Sequence, residues 1–382
     1  MNRRNRGGGT VAKVTANEEI KRYNRSSIYA ALREHGPLSR QDLVRELQLS
    51  LPTVTQNLAN LQDEGLIDGS GFLGNTGGRR AKTYSVVADA RTAIGLDVTR
   101  NHITSVAVDL NGSVIARLRV QVPFSRTPAY YERLGQIVRT TVENAGLDER
   151  AILGVGIGVP GLITPDNQRV FYGKILNFTD ATCEEISQDI PFRSALFNDA
   201  NAAGFAETWM NRDLDNAFYI MLSNNVGGAI YINRQPYVGE NIRGGEVGHI
   251  TIEPGGRPCY CGARGCVDAY CAATVLSALT DGNLAEFFAL LKCGDQRAHA
   301  LWDKYLHNLA QTVVNLRLLF DCNIILGGYV GGYIEDYLDD LKALAKTSFE
   351  DNADYLIPCR CKNEAIAVGA ALHFISEFIE SV

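Results

Sequence analysis

The chain has 382 residues, 46% of them hydrophobic and 21% charged, with a formal net charge of −6. That length exceeds one ordinary domain, and no apolar run reaches the roughly 18 residues of a membrane span, so membrane insertion is not expected. Nine cysteines, with no apolar segment behind the basic start MNRRNRGGGT, suggest reduced thiols in a cytoplasmic protein rather than secretory disulfides.

The net charge hides an asymmetry. Through residue 83 there are 13 Lys/Arg against 8 Asp/Glu, and the remainder holds 24 against 35. A polyanion partner for the front accounts for this, and so does ordinary surface variation. Residues 1–23 lack apolar periodicity, carry GGG at 7–9 and are expected to form a basic mobile arm.

Residues 24–86 are predicted to form an α+β winged helix-turn-helix domain. In NRSSIYAALREHG, Ile28, Ala31 and Leu32 share a helical face, and Gly36-Pro37 ends it. Ser39 caps a second helix with Asp42 three residues on, and Leu43, Val44 and Leu47 form its stripe. Ser50 caps a third helix, with Pro52 in its first turn and Val54, Leu58 and Leu61 facing inward.

The outward face of that third helix carries Thr53, Thr55, Gln56, Asn57 and Asn60. With Ser50, these side chains are suited to base edges and phosphates. Two strands then flank a Gly-rich loop bearing Arg79, Arg80 and Lys82, a basic wing suited to phosphate or minor-groove contact. DNA is the expected partner, although the same fold also serves protein interaction.

From residue 91 onward the pattern becomes α/β. TAIGLDVTRNHITSVAVDLNGSVIARLRVQV contains three strand-like runs, with an Asn111-Gly112 hairpin turn between the second and third. A helix with Leu134, Ile137, Val138 and Val142 follows, then the buried strand AILGVGIGVPG. The same strands–helix–strand unit recurs in NAFYIMLSNNVGGAIYINRQ, a long helix from about 299 to 319, and CNIILGG.

This arrangement resembles the ribonuclease-H-like lobes of actin and hexokinase. The expected fold is a two-lobe body over 91–382. Lobe one takes about 91–195 plus a C-terminal helix 363–382, lobe two about 196–362, and a ligand sits in the cleft between them.

Within lobe two, HITIEPGGRPCYCGARGCVD at 249–268 places His249, Cys259, Cys261 and Cys266 together. Three thiolates and one imidazole make a closed tetrahedral set that selects zinc and leaves no open position for a reacting water. The alternative is cysteines packed as small apolar groups. Cys271 and the CRC at 359–361 fall outside the pattern.

At these residues the chain resembles the ROK family of repressors, open reading frames and kinases, along nearly its whole length. The family's zinc signature is His, then ten residues on Cys-x-Cys-Gly-x-x-Gly-Cys-x-Glu. Here Asp268 stands at the usual Glu, one methylene shorter. Glu246-Val-Gly-His249 and Asn198-Asp199 also match, and Gly78-Arg79-Arg80 matches the wing of the family's repressor branch.

The resemblance implies that Asn198, Asp199, Glu246, His249 and Asp268 contact a hexose-like sugar, with structural Zn2+ bracing the pocket. Amides and carboxylates discriminate hydroxyls by position. Gly161 and Asn177, in the loops GLITPDNQRV and GKILNFTD, are further candidates.

In the family's kinases Asp199's counterpart is a base, and a hairpin reading Asp-x-Gly-Gly-Thr approaches the ATP phosphates. Here the hairpin reads Asp97-Val98-Thr99-Arg100-Asn101, and both glycines are gone. Only half of a second phosphate loop is kept, at Val226-Gly227-Gly228. The expectation is a sugar-responsive repressor with no catalytic residue, acting as a homodimer or homotetramer on operator DNA. The alternatives are an ATP-dependent sugar kinase that also binds DNA, and a repressor controlled by a protein partner.

Overall fold

The computed structural model describes residues 16–72, 81–350, 352–362 and 364–382. The chain divides into two compact units. One runs to Ala90 and includes Ser376–Val382, and the other is Arg91–Ile375. The last seven residues, expected with lobe one, therefore cluster with the first unit.

The first unit is built from α1 (Ala16–His35), β1 (Leu38–Ser39), α2 (Arg40–Leu47), α3 (Leu51–Asp63), β2 (Ile67–Phe72) and β3 (Lys82–Val86). Helix α1 starts inside the segment expected to be an irregular arm. Its first turn is polar, with Glu18 and Glu19 where the helix dipole favours them, and such a turn carries no apolar stripe to reveal it. Ser39 caps α2 in a reciprocal box with Asp42, and Ser50 accepts the Thr53 amide at the start of α3. Ile28, Leu32, Leu43, Val54, Leu58 and Leu61 form the core. A three-stranded antiparallel sheet in the order β1-β3-β2 closes the unit. The wing tip 73–80, with Arg79 and Arg80, lies outside the described residues.

The second unit repeats one topology. Strands β4 (Thr92–Val98), β5 (His102–Asp109) and β6 (Val114–Gln121) are followed by α4 (Pro128–Ala145) and β7 (Ile152–Val159). A small ribbon, β8 (Leu162–Ile163) and β9 (Val170–Tyr172), then α5 (Cys183–Ser187), lead to β10 (Ser194–Asn198). The sheet order is β10-β7-β4-β5-β6, antiparallel across β4-β5-β6 and parallel across β4-β7-β10.

Helix α6 (Asp199–Met210) begins the other lobe. Its sheet is β13-β12-β11-β14-β15, made of β11 (Ala217–Leu222), β12 (Val226–Ile232), β13 (Gln235–Pro236), β14 (Asn323–Gly327) and β15 (Leu356–Pro358). The pairing pattern is the same as in lobe one. Between β13 and β14 lie the cysteine loop, α7 (Asp268–Cys271), α8 (Ala273–Ser277), α9 (Leu284–Lys292) and α10 (Gln296–Phe320). After β14 come α11 (Gly328–Ile334), α12 (Leu338–Leu344) and α13 (Ala365–Ser381).

Strand β10 pairs with β7 as far as Asn198, so lobe one extends three residues past its expected boundary. On β4 and β7, Gly95 and Gly156 let the backbone of α13 come so close that a Cβ at either would meet the carbonyl of Ala367 or Ala370. The parallel strands β7 and β10 end at a cleft lined by Gly161 and Asn198, the usual place for a ligand in such sheets.

Candidate functional site

Strand β10 runs into α6 at Asn198-Asp199, and the cap geometry there sets both side chains. Asn198 Oδ1 accepts the Asn201 amide at 2.9 Å, while its Nδ2 donates to the Gly161 carbonyl at 3.0 Å and to Asp199 Oδ1 at 3.2 Å. Asp199 Oδ1 also accepts the Ala200 amide at 2.9 Å. Asn198 is therefore committed to holding the Gly161 loop and aiming Asp199. Burial pushes the Asp199 carboxyl up to about 7, with the charges of Asp97 and Glu246 adding to the rise.

Asp199 faces an open cavity of about 590 Å³ between the lobes, lined also by Gly161, Asn198, Glu246 and His249. Two expected residues lie elsewhere. Asn177 is exposed in a left-handed turn with φ 54° and does not line the cavity. Asp268 is buried, and its Oδ1 accepts the Val226 amide at 2.7 Å. Its shorter carboxylate fixes the start of β12, whose Val226 does line the cavity.

Tyr172, Lys174 and Tyr260 also line the cavity and are absent from the expected set. Lys174 Nζ, from lobe one, donates to the Tyr260 carbonyl in the cysteine loop at 2.7 Å. The Tyr260 hydroxyl stands 3.2 Å from His249 Nε2, with the two rings edge to face. The signal for Tyr260 is its position, since it sits between Cys259 and Cys261 and a residue between two inward ligands points outward.

The four sulfur and nitrogen donors of His249, Cys259, Cys261 and Cys266 all lie within 4.8 Å of one another. Cys261 Sγ and Cys266 Sγ are 3.8 Å apart, and Cys259 Sγ is 3.7 Å from His249 Nδ1. A tetrahedral ion about 2.3 Å from each sulfur would space the sulfurs about 3.8 Å apart, so the donor set fits a metal ion. Gly262 and Gly265 take φ of 101° and 81°, turning the chain back between the second and third cysteines. Burial pushes the Cys259 thiol up to about 12, a group that a cation would deprotonate on binding.

A second region of the cleft lies beside Asp97, Thr99, Arg100 and Asn224. Thr99 closes the β4–β5 turn through its own side chain. Its Oγ1 donates to the His102 carbonyl at 2.9 Å and accepts the His102 amide at 3.0 Å. Arg100 Nη2 reaches the Ile175 carbonyl at 2.7 Å. Burial raises Asp97 to about 7, opposed by the nearby Arg119 charge.

On α3, the polar face is bonded to itself. Ser50 Oγ is 2.8 Å from Thr53 Oγ1, Gln56 Nε2 donates to Asn60 Oδ1 at 2.9 Å, and Asn57 Nδ2 to the Thr53 carbonyl at 2.8 Å. Gln56 and Asn60 are exposed, and Thr53, Thr55 and Asn57 partly so.

Comparison with known proteins places these features in context. A model of the ROK family matches residues 93–377, and a model of winged helix-turn-helix DNA-binding domains matches 21–68. The chain is 25% identical to the DNA-binding transcriptional dual regulator NagC of Escherichia coli (strain K12) over 269 residues. That alignment covers 69% of this chain and 66% of the relative, short of two thirds of its length. It is 28% identical to an N-acetylmannosamine kinase of Escherichia coli O6:H1 over 291 residues, 73% of this chain and 97% of the kinase. The fold matches a solved ROK family transcriptional regulator, a homolog of the E. coli MLC protein. The TM-score is 0.74 at 22% identity, covering 95% of this chain and 97% of that one.

Proposed function

The chain belongs to the ROK family, and from that membership we propose that it is a sugar-responsive transcriptional repressor acting in the cytoplasm. Operator DNA binds the winged unit, through the α3 face and the wing arginines. A sugar binds the cavity beside Asp199, and its occupancy is reported to the operator. The observation that carries this reading is the double duty of His249. Nδ1 faces the cysteine cluster and Nε2 lies beside the cavity-lining Tyr260, so a metal-braced group offers hydrogen bonding where Asp199 and Glu246 converge.

Zinc is the metal this donor set suits, held by His249, Cys259, Cys261 and Cys266 with no open position. It would supply rigidity to the loop that carries Tyr260. Asp199 and Glu246 would accept sugar hydroxyl protons, with Gly161 offering its backbone. Asn198 holds the loop, and Asp268 acts from behind through Val226.

Two winged units, in a homodimer or homotetramer, match half-sites about one helical turn apart or a multiple of it. The sugar favours one lobe arrangement by its differential affinity and so changes that spacing. Direct support would be sugar-dependent release of a selected operator fragment, followed by fluorescence anisotropy.

A DNA-binding sugar kinase is the second reading. The Asp199 carboxyl near 7 favours it, because that value suits a general base. Against it, Thr99 and Arg100 stand where the family's kinases have glycines, and phosphoryl transfer depends mostly on positioning. Release of ADP from ATP with a panel of sugars separates the two: none is expected, and sugar-dependent turnover would favour the kinase.

A further inference from the structure

Beside the cavity of Asp199 lies a larger one to which the proposed function gives no role. It holds about 940 Å³ against about 590 Å³, and both are lined by Asn198, Gly228 and Glu246. Its other walls are largely apolar, with Ile163, Pro165 and Phe197 from lobe one and Val238 and Ile242 from lobe two. Asn201 and His373 add polar atoms.

His373 is unusual. Its ring is stacked on Phe197 at 4.2 Å and 6°, and on Phe205 at 4.2 Å and 14°. Both faces are covered, so it is the ring edge that lines the cavity. Burial depresses its pKa to about 4 and keeps it neutral, with one nitrogen a donor and the other an acceptor. Among the described residues neither nitrogen has a hydrogen-bond partner. The ring is half-buried, and its edge offers one donor and one acceptor to whatever polar group occupies the cavity.

Ile242 is the second observation. It takes φ 57°, an outlier for a β-branched residue. Such strain gathers at ligand clamps, and this one stands four residues before Glu246. A hexose ring suits these walls, since its C–H faces pack on aliphatic and aromatic surface while its hydroxyls meet amide and imidazole edges.

We infer that this second cavity is a subsite for a second sugar ring, and that the effector is a disaccharide spanning both cavities past Asn198 and Glu246. The inference rests on the sugar-binding reading and deepens it. One ring meets Asp199 and His249. The other lies between the 238–242 loop and His373, and donates to or accepts from the imidazole edge.

Calorimetry tests this with the full chain and maltose, cellobiose, lactose, sucrose and trehalose, each beside its component hexoses. One disaccharide is expected to bind about 10-fold tighter than either component, the worth of a good added hydrogen bond. His373→Phe keeps the aromatic stack and is expected to erase that margin while leaving hexose affinity unchanged. Val238→Trp, which fills the second cavity from a partly exposed position, is expected to do the same.

Hexoses binding as tightly as every disaccharide would overturn the inference and leave the sugar reading standing. So would an N-acyl or aryl hexoside that outperforms all the disaccharides, or a margin that survives both substitutions. If no sugar of any kind binds, both readings fall.

Discussion

The hydroxyl of Tyr260 stands 3.2 Å from His249 Nε2, the ring nitrogen opposite the one that faces the cysteines. A sugar hydroxyl that takes Nε2 must first displace this phenol. Tyr260→Phe removes the competitor and keeps the ring, so it is expected to tighten sugar binding about 3- to 10-fold, the scale of one hydrogen bond. Calorimetry with wild type and variant checks it. Equal affinity would mean that the phenol stays in place or joins the sugar contact.

Burial raises both Asp97 and Asp199 to about 7. Each carboxyl keeps its proton in the folded chain at pH values where the unfolded chain has lost it. The stability this contributes is complete below pH about 4 and is lost as pH rises toward about 7. Asp199→Asn is therefore expected to stabilise the chain at pH 8 and to flatten the loss between pH 4 and 7. The Asp199 carboxylate edge faces an open cavity, where water screens it, so the gain is on the order of 1–2 kcal/mol. Thermal unfolding across pH measures it, and an Asp199→Asn curve parallel to wild type would contradict it.

One bound metal ion per chain is expected, by mass spectrometry and elemental analysis. Cys261→Ser removes one donor of the His249, Cys259, Cys261 and Cys266 set. It is expected to lower thermal stability by several degrees, on the order of 2–4 kcal/mol, and to abolish sugar binding, because the ion would hold His249 in place at the cavity. Sugar affinity unchanged after chelation would detach the metal from the pocket.

In the winged unit, Arg80→Ala is expected to weaken DNA binding across sequences and to lower the salt slope by about one unit. Gln56→Ala, on an exposed face of α3, is expected instead to relax specificity at one base pair by about 1–3 kcal/mol. Salt titrations on a selected operator and on single-site mismatches separate the two. An unaltered slope in Arg80→Ala would rule out a phosphate contact.

Parts of the fold and of the site are legible in the amino-acid pattern, for definable reasons. The caps at Ser39 and Ser50 and the inward stripe of Val54, Leu58 and Leu61 are local patterns, and local patterns decide helices. The spacing of His249, Cys259, Cys261 and Cys266 carries its own geometry. The first turns of α1 are hidden because polar residues leave no stripe. Lys174 meeting Tyr260, and His373 meeting Phe197 and Phe205, join residues 86, 176 and 168 positions apart. No periodicity encodes such contacts. Asn177 and Asp268 fall off the cavity wall because a loop's direction is set by what it packs against. For Asp268 that is the Val226 amide.

The most direct test of the central claim follows a labelled operator fragment, selected from random DNA, during titration of a sugar panel against wild type and Asp199→Ala, with calorimetry in parallel. The account predicts that both chains bind the free operator equally, that one sugar releases the wild type, and that Asp199→Ala neither binds that sugar nor lets go. Unchanged sugar-driven release in Asp199→Ala, or a phosphorylated sugar formed from ATP by the wild type, would contradict it.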